Sequence, residues 1–229
     1  MPVAIITGGS RGFGRALALE LAGEGWDLVI DARRPPELEE AQAELAARGP
    51  KVIAIAGDVT DASHRASLID AAVELGSLDL LVNNASTLGP SPMPTLEVYD
   101  LKELRRVFEV NIVAPLALIQ LALPLLERSH GTVVSLTSDA GVEAYEGWGG
   151  YGASKAALDH LHQVLAVEVS DVRLYSFDPG DMRTEMHQAA FPGDDISDRP
   201  EPETAVPKLR RLLGSDLPSG RYVASEIGS

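Results

Sequence analysis

Tyr151 and Lys155 stand four residues apart in the run Tyr151-Gly152-Ala153-Ser154-Lys155. On a helix that spacing puts both side chains on one face, a turn apart. An ammonium beside a phenol favours the phenolate, which draws a tyrosine pKa down from about 10 toward working pH. A phenol tuned in this way gives a proton to a forming alkoxide or takes one from an alcohol. Ser138, at the end of the strand-like run Gly131–Thr137, adds a hydroxyl able to hold a substrate oxygen beside Tyr151. Ser135 and Thr137 are rival hydroxyls that fit a strand interior better. A tyrosine–lysine spacing arises by chance on many helices, so its weight depends on its company.

The elements that must position these groups follow a simple rhythm. Val3–Thr7, Asp27–Ala32, Lys51–Ala56, Leu78–Asn83, Gly131–Thr137 and Asp171–Phe177 are β-branched runs that read as strands, with a weaker seventh at Arg221–Ala224. Arg15–Ala22, Pro36–Arg48, Ser63–Leu75, Leu101–Glu127 and Tyr151–Val169 read as helices. Strands so continuously apolar, alternating with helices, predict an α/β fold: a doubly wound parallel sheet of about seven strands covered on both faces. The 229 residues suit one such domain, 1–229. From His187 to Pro207 the rhythm breaks at Pro192, Pro200, Pro202 and Pro207, and this stretch reads as a surface loop of the same domain on its substrate side.

Between the first strand and first helix lies Thr7-Gly8-Gly9-Ser10-Arg11-Gly12-Phe13-Gly14. Glycines there let the backbone turn sharply and approach a pyrophosphate, whose charge meets the helix N-terminus and its free N–H groups. Glycines between a strand and a helix also make plain turns, but the placement after the first strand favours cofactor binding.

The spacing of Gly8, Gly12 and Gly14 resembles the T-G-x-x-x-G-x-G turn of the short-chain dehydrogenase/reductase family, and the resemblance extends over nearly the whole chain. Tyr151 and Lys155 match its Y-x-x-x-K, and Pro179-Gly180-Asp181-Met182-Arg183-Thr184 its P-G-x-x-x-T. Asn83-Asn84-Ala85-Ser86 resembles its N-N-A-G, with Ser86 replacing a glycine. The stretch Asn83 to Gly89 is faintly similar to sepiapterin-reductase-like members. The resemblance implies a Rossmann domain that moves a hydride between a nicotinamide cofactor and a carbonyl or alcohol. It places Gly8, Ser10, Arg11, Gly12, Phe13, Gly14, Asn84, Ala85, Tyr151 and Lys155 against the dinucleotide, with Asp58 and Val59 at the adenine. By the same resemblance Pro179 and Gly180 shape a turn against the nicotinamide, whose carboxamide Met182 and Thr184 bind. Asn111 is implied to hold a water that links Lys155 to solvent, and the long helices to pair copies into a homodimer or homotetramer. The apolar Val164-Leu165-Ala166-Val167 suits such a contact.

The second strand ends Ile30-Asp31-Ala32-Arg33-Arg34. Where NAD-selective relatives carry an acid for the ribose hydroxyls, the alignment puts Ala32. Arg33 beside it and Arg11 in the glycine turn suit a 2′-phosphate, so NADP(H) is the expected cofactor. A slip of one residue makes Asp31 the selecting acid and NAD(H) the cofactor. Leu88, Met93, Tyr145, Trp148, Met186, His187 and Phe191 are expected around a partly aromatic pocket.

A net charge of −15 argues against a nucleic-acid partner. The absence of cysteine removes disulfides and thiolate metal sites. His64, His130, His160, His162 and His187 show no H-E-x-x-H pattern, so no metal is expected. The first residues enter a strand without a basic region, and no apolar run approaches the roughly 20 residues of a membrane span; a cytoplasmic protein without membrane partners is expected. The rival function is a cofactor-binding redox sensor without significant turnover, which has no need of the Asn111, Ser138, Tyr151 and Lys155 set.

Overall fold

The short Val/Ile/Leu runs become seven strands in the computed structural model, which describes residues 1–228; Ser229, the last residue of the expected domain, lies outside the described residues. The strands are β1 (Val3–Ile6), β2 (Asp27–Ala32), β3 (Val52–Ala56), β4 (Leu80–Asn83), β5 (Thr132–Leu136), β6 (Arg173–Asp178) and β7 (Gly220–Val223). They form one sheet in the order β3-β2-β1-β4-β5-β6-β7, every neighbouring pair parallel. The order reverses at β1, so β2 and β4 flank it and a crevice opens beyond its carboxyl end.

Successive residues along each strand face opposite layers. Ala4 and Ile6 of β1 join a core with α1 (Gly12–Gly23), α2 (Pro35–Ala46) and α8 (Val206–Leu213). Val3 and Ile5 join the opposite core with α3 (Ala62–Leu75), α5 (Ala114–Ser129) and the far half of α6 (Gly149–Glu168). Both faces are covered, which is why the strands read as unbroken apolar runs.

Three differences from the sequence reading bear on the site. The segment expected as one helix over 101–127 is α4 (Leu101–Phe108), a π-helical turn (Glu109–Val113) and then α5. Joined, they make a run of 29 residues, Leu101–Ser129, long and apolar enough by length and composition to cross a membrane. The run is longer than the apolar stretches expected from the sequence, and its stripe of Leu118, Ile119, Ala122 and Leu126 packs in the core. The stretch 187–207 is also less irregular than expected. It begins inside α7 (Glu185–Ala190) and ends at α8, which carries proline in its first turn and buries Val206, Leu209 and Leu212. Proline fits there because that position has no intrahelical N–H bond to lose.

Side-chain caps start α3, α4 and α7, where Asp61, Asp100 and Thr184 accept from the backbone N–H of Ser63, Lys102 and His187. Helix α1 differs. Arg11, extended at its N-cap, makes no capping bond, so the first N–H groups of α1 face the crevice without a side-chain acceptor.

Candidate active site

The glycine turn is held from three sides. Thr7 Oγ1 accepts from the N–H groups of Asn84 and Ala85, both at 3.0 Å, and Asn84 Nδ2 donates to the carbonyls of Thr7 (2.8 Å) and Gly8 (3.1 Å). Asp31 closes the third side. Its Oδ1 accepts from Gly8 N at 2.7 Å and its Oδ2 meets His64 Nε2 at 2.8 Å, with both side chains buried. Gly8 and Gly12 have φ of +66° and +53°, which glycine adopts without strain. A Cβ on Gly14 would lie 2.5 Å from Asn84 Nδ2, so the close approach of α1 to β4 requires the missing side chain.

This arrangement bears on the end of β2. Asp31, Ala32 and Arg33 all line the cleft, but both oxygens of Asp31 are engaged by the protein's own framework. His64, which the sequence reading weighed only as a metal ligand, is the second anchor of the turn. No periodicity marks it, because its partner lies 33 residues earlier on another element.

The cleft encloses about 1000 Å³ and runs from this turn to Tyr151. Gly8, Ser10, Arg11, Gly12, Phe13, Arg33, Asp58, Val59, Asn84 and Ala85 line one end; Ser138, Tyr151, Lys155, Pro179, Gly180, Met182 and Thr184 line the other. Gly14 and Asn111 support the lining from behind. Phe13 turns its ring into the core, 6.0 Å from that of Phe177, and offers the cleft mainly its backbone. Arg11 is paired with Glu185 of α7. Arg33 is exposed and makes no ion pair among the described residues. Asp58 caps the turn after β3. Its burial is outweighed by bonds from the Thr60 N–H and hydroxyl and by the Arg106 guanidinium, which together hold its carboxyl down at about 2.

At the far end, α6 carries Tyr151 and Lys155 on one face. The Tyr151 phenol is buried, and burial, with the nearby charges of Asp178 and Asp139, pushes its pKa up. The downward shift expected from Lys155 is not found. Lys155 Nζ lies 5.4 Å from the centre of the Tyr151 ring, donates to Leu136 O at 2.7 Å, and is itself lowered by burial to about 8. Desolvation therefore outweighs the mutual attraction for both groups. The hydroxyls of Ser138 and Ser86 act against the rise at Tyr151. Ser138 Oγ donates to Asp139 Oδ1 at 2.9 Å, so it must turn away to donate to a substrate oxygen. Ser135 and Thr137 are buried in the strand interior, as expected.

Asn111, buried in the π-helical turn, is fully engaged. Its Oδ1 accepts from Thr87 N and Ser86 Oγ, and its Nδ2 donates to Thr87 O and Ser154 Oγ at 2.9 Å each. Its side chain thus clamps the loop after β4 onto α6, with no donor or acceptor left over for a water. In the sequence Ser86 stands out only as a glycine replacement. It lies in the cleft beside Tyr151 without a positive φ.

Leu88, Trp148, Met186 and His187 line the open flank. Trp148 stands edge-on to Tyr151 at 5.9 Å and against Phe191 at 5.8 Å. Tyr145 and Met93 back this wall rather than line the cleft. The fit to a dinucleotide rests on three features: an uncapped helix N-terminus, a glycine cradle that side chains would fill, and a cleft long enough to reach the phenol.

Gly57 tests the anchor. A Cβ there would lie 2.2 Å from Nδ1 of the buried His64 ring. Gly57→Ala is expected to dislodge His64 from Asp31, lowering unfolding free energy by about 1–3 kcal/mol in a denaturant titration. It should also weaken dinucleotide binding in a fluorescence titration. Unchanged stability and affinity would remove the Asp31–His64 pair as the anchor of the turn.

The model of the short chain dehydrogenase family matches residues 2–195. Sepiapterin reductase of Mus musculus is 37% identical over 221 residues, 91% of this chain and 84% of its own length. That of Rattus norvegicus is 39% identical over 201 residues, covering 82% and 77%. An alcohol dehydrogenase from the archaeon Thermococcus sibiricus, complexed with 5-hydroxy-NADP, superposes with a TM-score of 0.88 at 29% identity, over 97% of this chain and 95% of that one. A short chain dehydrogenase from Shigella flexneri, complexed with NADP, gives 0.90 at 27% identity, over 98% and 97%. With the glycine turn, the parallel sheet and the tyrosine–lysine pair in one cleft, the chain belongs to the short chain dehydrogenase family.

Proposed function

We propose that this oxidoreductase is an NADPH-dependent reductase of small carbonyl compounds. The observation that carries the reading is the convergence of Ser138, Tyr151 and Lys155 at one end of a cleft whose other end is the glycine turn. The dinucleotide, when bound, supplies a hydride to the carbonyl carbon. The chain supplies the proton. Burial keeps Tyr151 protonated, so it is an acid ready to donate as the substrate oxygen gains charge. Ser138, once turned from Asp139, holds that oxygen, and the Lys155 ammonium favours the phenolate left behind.

Cofactor choice rests on the β2 end. Both oxygens of Asp31 are already bonded, to Gly8 N and His64, and the free guanidinium of Arg33 beside Ala32 suits a 2′-phosphate. The NADP-type ligands of the two solved relatives support the same choice. The aromatic flank around Trp148 suits a planar carbonyl, and the names of the curated relatives put sepiapterin first in a substrate panel. The exposed Leu121 of α5 and Val164 and Val167 of α6 support pairing of two copies across these helices.

Arg33→Ala is expected to weaken NADPH roughly 10- to 100-fold by nucleotide fluorescence, the loss of a charge-assisted bond, and to leave NADH nearly unchanged. The opposite selectivity would restore NAD(H). In steady-state assays with pterins, ketones, aldehydes and quinones, Tyr151→Phe should lose about 10²–10⁴ of the rate. Lys155 is charged below its pKa of about 8 and neutral above it, so wild-type reduction should fall as pH rises through about 8. Turnover that survives Tyr151→Phe, or none with any carbonyl, would overturn the reductase. Light scattering is expected to give at least twice the 24.3 kDa chain mass; a monomer would remove the pairing.

A further inference from the structure

Three guanidinium groups stand at the turn end of the cleft, and each is placed differently. Arg34 is bonded to Glu37 of α2 at 2.7 Å, Arg33 makes no ion pair among the described residues, and Arg11 is held by Glu185. All five residues line the cleft. The Arg11–Glu185 pair is distinct in what it joins. Arg11 belongs to the glycine turn, whereas Glu185, 174 residues later, is the first residue of α7, whose next residues Met186 and His187 line the open flank. No other ion pair among the described residues links the turn to that segment. The neighbours of Glu185 explain its reach. Thr184, the N-cap of α7, accepts from His187 N at 3.1 Å, and a Cβ on Gly12 would lie 3.6 Å from its methyl group, so the start of α7 rests on the turn. Nearby charges are committed elsewhere, Arg183 to Glu201 and Asp181 to Arg199. The charge of Glu185 also reaches a second guanidinium: Arg34 is pushed up first by its bond to Glu37 and in part by Glu185.

A 2′-phosphate competes for the same guanidinium. Arg11 and Arg33 suit that group, yet an anion of the chain itself already holds Arg11. Phosphate prevails over a carboxylate in such a contest. A phosphate monoester carries about −1.5 to −2 charge near pH 7 and three acceptor oxygens, enough to engage Arg11 and Arg33 together. It prevails by a reduced margin, because the pair with Glu185 must break and the displaced carboxylate stays tethered nearby as a like charge. The ribose of NAD(H) brings no anion to this place and leaves the pair intact. The penalty therefore falls on the 2′-phosphorylated dinucleotide alone. Its size is that of a surface pair, a few-fold in affinity, since the two side chains are 46% and 71% exposed.

We propose that Glu185 is a specificity-determining residue of the cofactor site, an internal competitor that yields Arg11 to the 2′-phosphate when NADP(H) binds and retakes it as NADP(H) leaves. The proposal rests on the NADPH reading of the cleft. It has two consequences. The preference for the phosphorylated dinucleotide is smaller than Arg11 and Arg33 alone would give. Its release is also faster, because an attached carboxylate waits beside Arg11 whenever the phosphate lets go. Dissociation is where affinity differences between closely related complexes mostly reside.

Glu185→Gln keeps the length of the side chain and removes its charge. In calorimetric titrations the variant should bind 2′,5′-ADP roughly two- to fivefold more tightly than the unmodified chain does, with 5′-AMP unchanged. In stopped-flow displacement NADPH should leave the variant more slowly by about the same factor, and NADH at an unaltered rate. The expected sign is a gain, which a damaged fold does not produce, and neither measurement requires turnover. Arg11→Ala is the control: once the guanidinium is gone, adding Glu185→Gln should change 2′,5′-ADP affinity by less than about twofold. A preference for 2′,5′-ADP that Glu185→Gln leaves unchanged overturns the competitor alone. So does an equal gain for 5′-AMP, or a full gain that persists without Arg11. If 2′,5′-ADP and 5′-AMP bind equally to the unmodified chain and to Glu185→Gln, the NADPH reading falls together with the competitor.

Discussion

Seven strands that run in one direction leave all their carboxyl ends along one margin of the sheet, and every functional side chain of this molecule hangs from that margin. The constraint has an electrostatic side. Backbone groups freed at strand ends and helix starts must find partners there, in a region that is half-buried. The chain meets the demand with short side chains that reach across elements: Thr7 binds the loop after β4, Asp31 binds the glycine turn, and Asn111 binds both the β4 loop and α6. What remains unpartnered, the start of α1, is the part an anionic cofactor can take.

Burial sets the chemistry of the proton-transferring pair more than their mutual attraction does. In water the tyrosine and lysine would be a weak acid and a permanent cation. In the cleft the phenol is harder to ionise and the ammonium easier to deprotonate, each change disfavouring the charged form. The four-residue spacing encodes the attraction alone, and the depth to which α6 sinks against β5 is set by contacts remote in sequence.

Much of the fold was legible because parallel strands covered on both faces are apolar throughout, and six of the seven announce themselves as Val/Ile/Leu runs. The glycine turn, Ser138 and the Tyr151–Lys155 pair were legible for a similar reason, since each lies close in sequence to an element boundary. The rest depends on pairings across the fold. Nothing near Asp31 reveals that His64 will occupy its second oxygen, so that, with Gly8 N on the first, neither oxygen is left without a partner. Nor does the neighbourhood of Asp159 announce Arg221, 62 residues later on the last strand. Helices α7 and α8 were hidden by prolines and acids that look like a loop until a helix start is placed among them.

The π-helical turn at Glu109–Val113 has a consequence of its own. A regular helix turns by roughly 100° per residue, so one extra residue in a turn shifts the angular phase of everything beyond it. Within the turn, that phase points Asn111 at Ser154; downstream, it points Leu118 and Ala122 at the sheet. Regularise the helix by removing one residue and the two halves fall out of step, so that either the clamp on the β4 loop or the apolar seam is aimed at the wrong neighbour. The irregularity works as a gear between two surfaces with different angular demands, and neither surface can be redesigned without reference to the other.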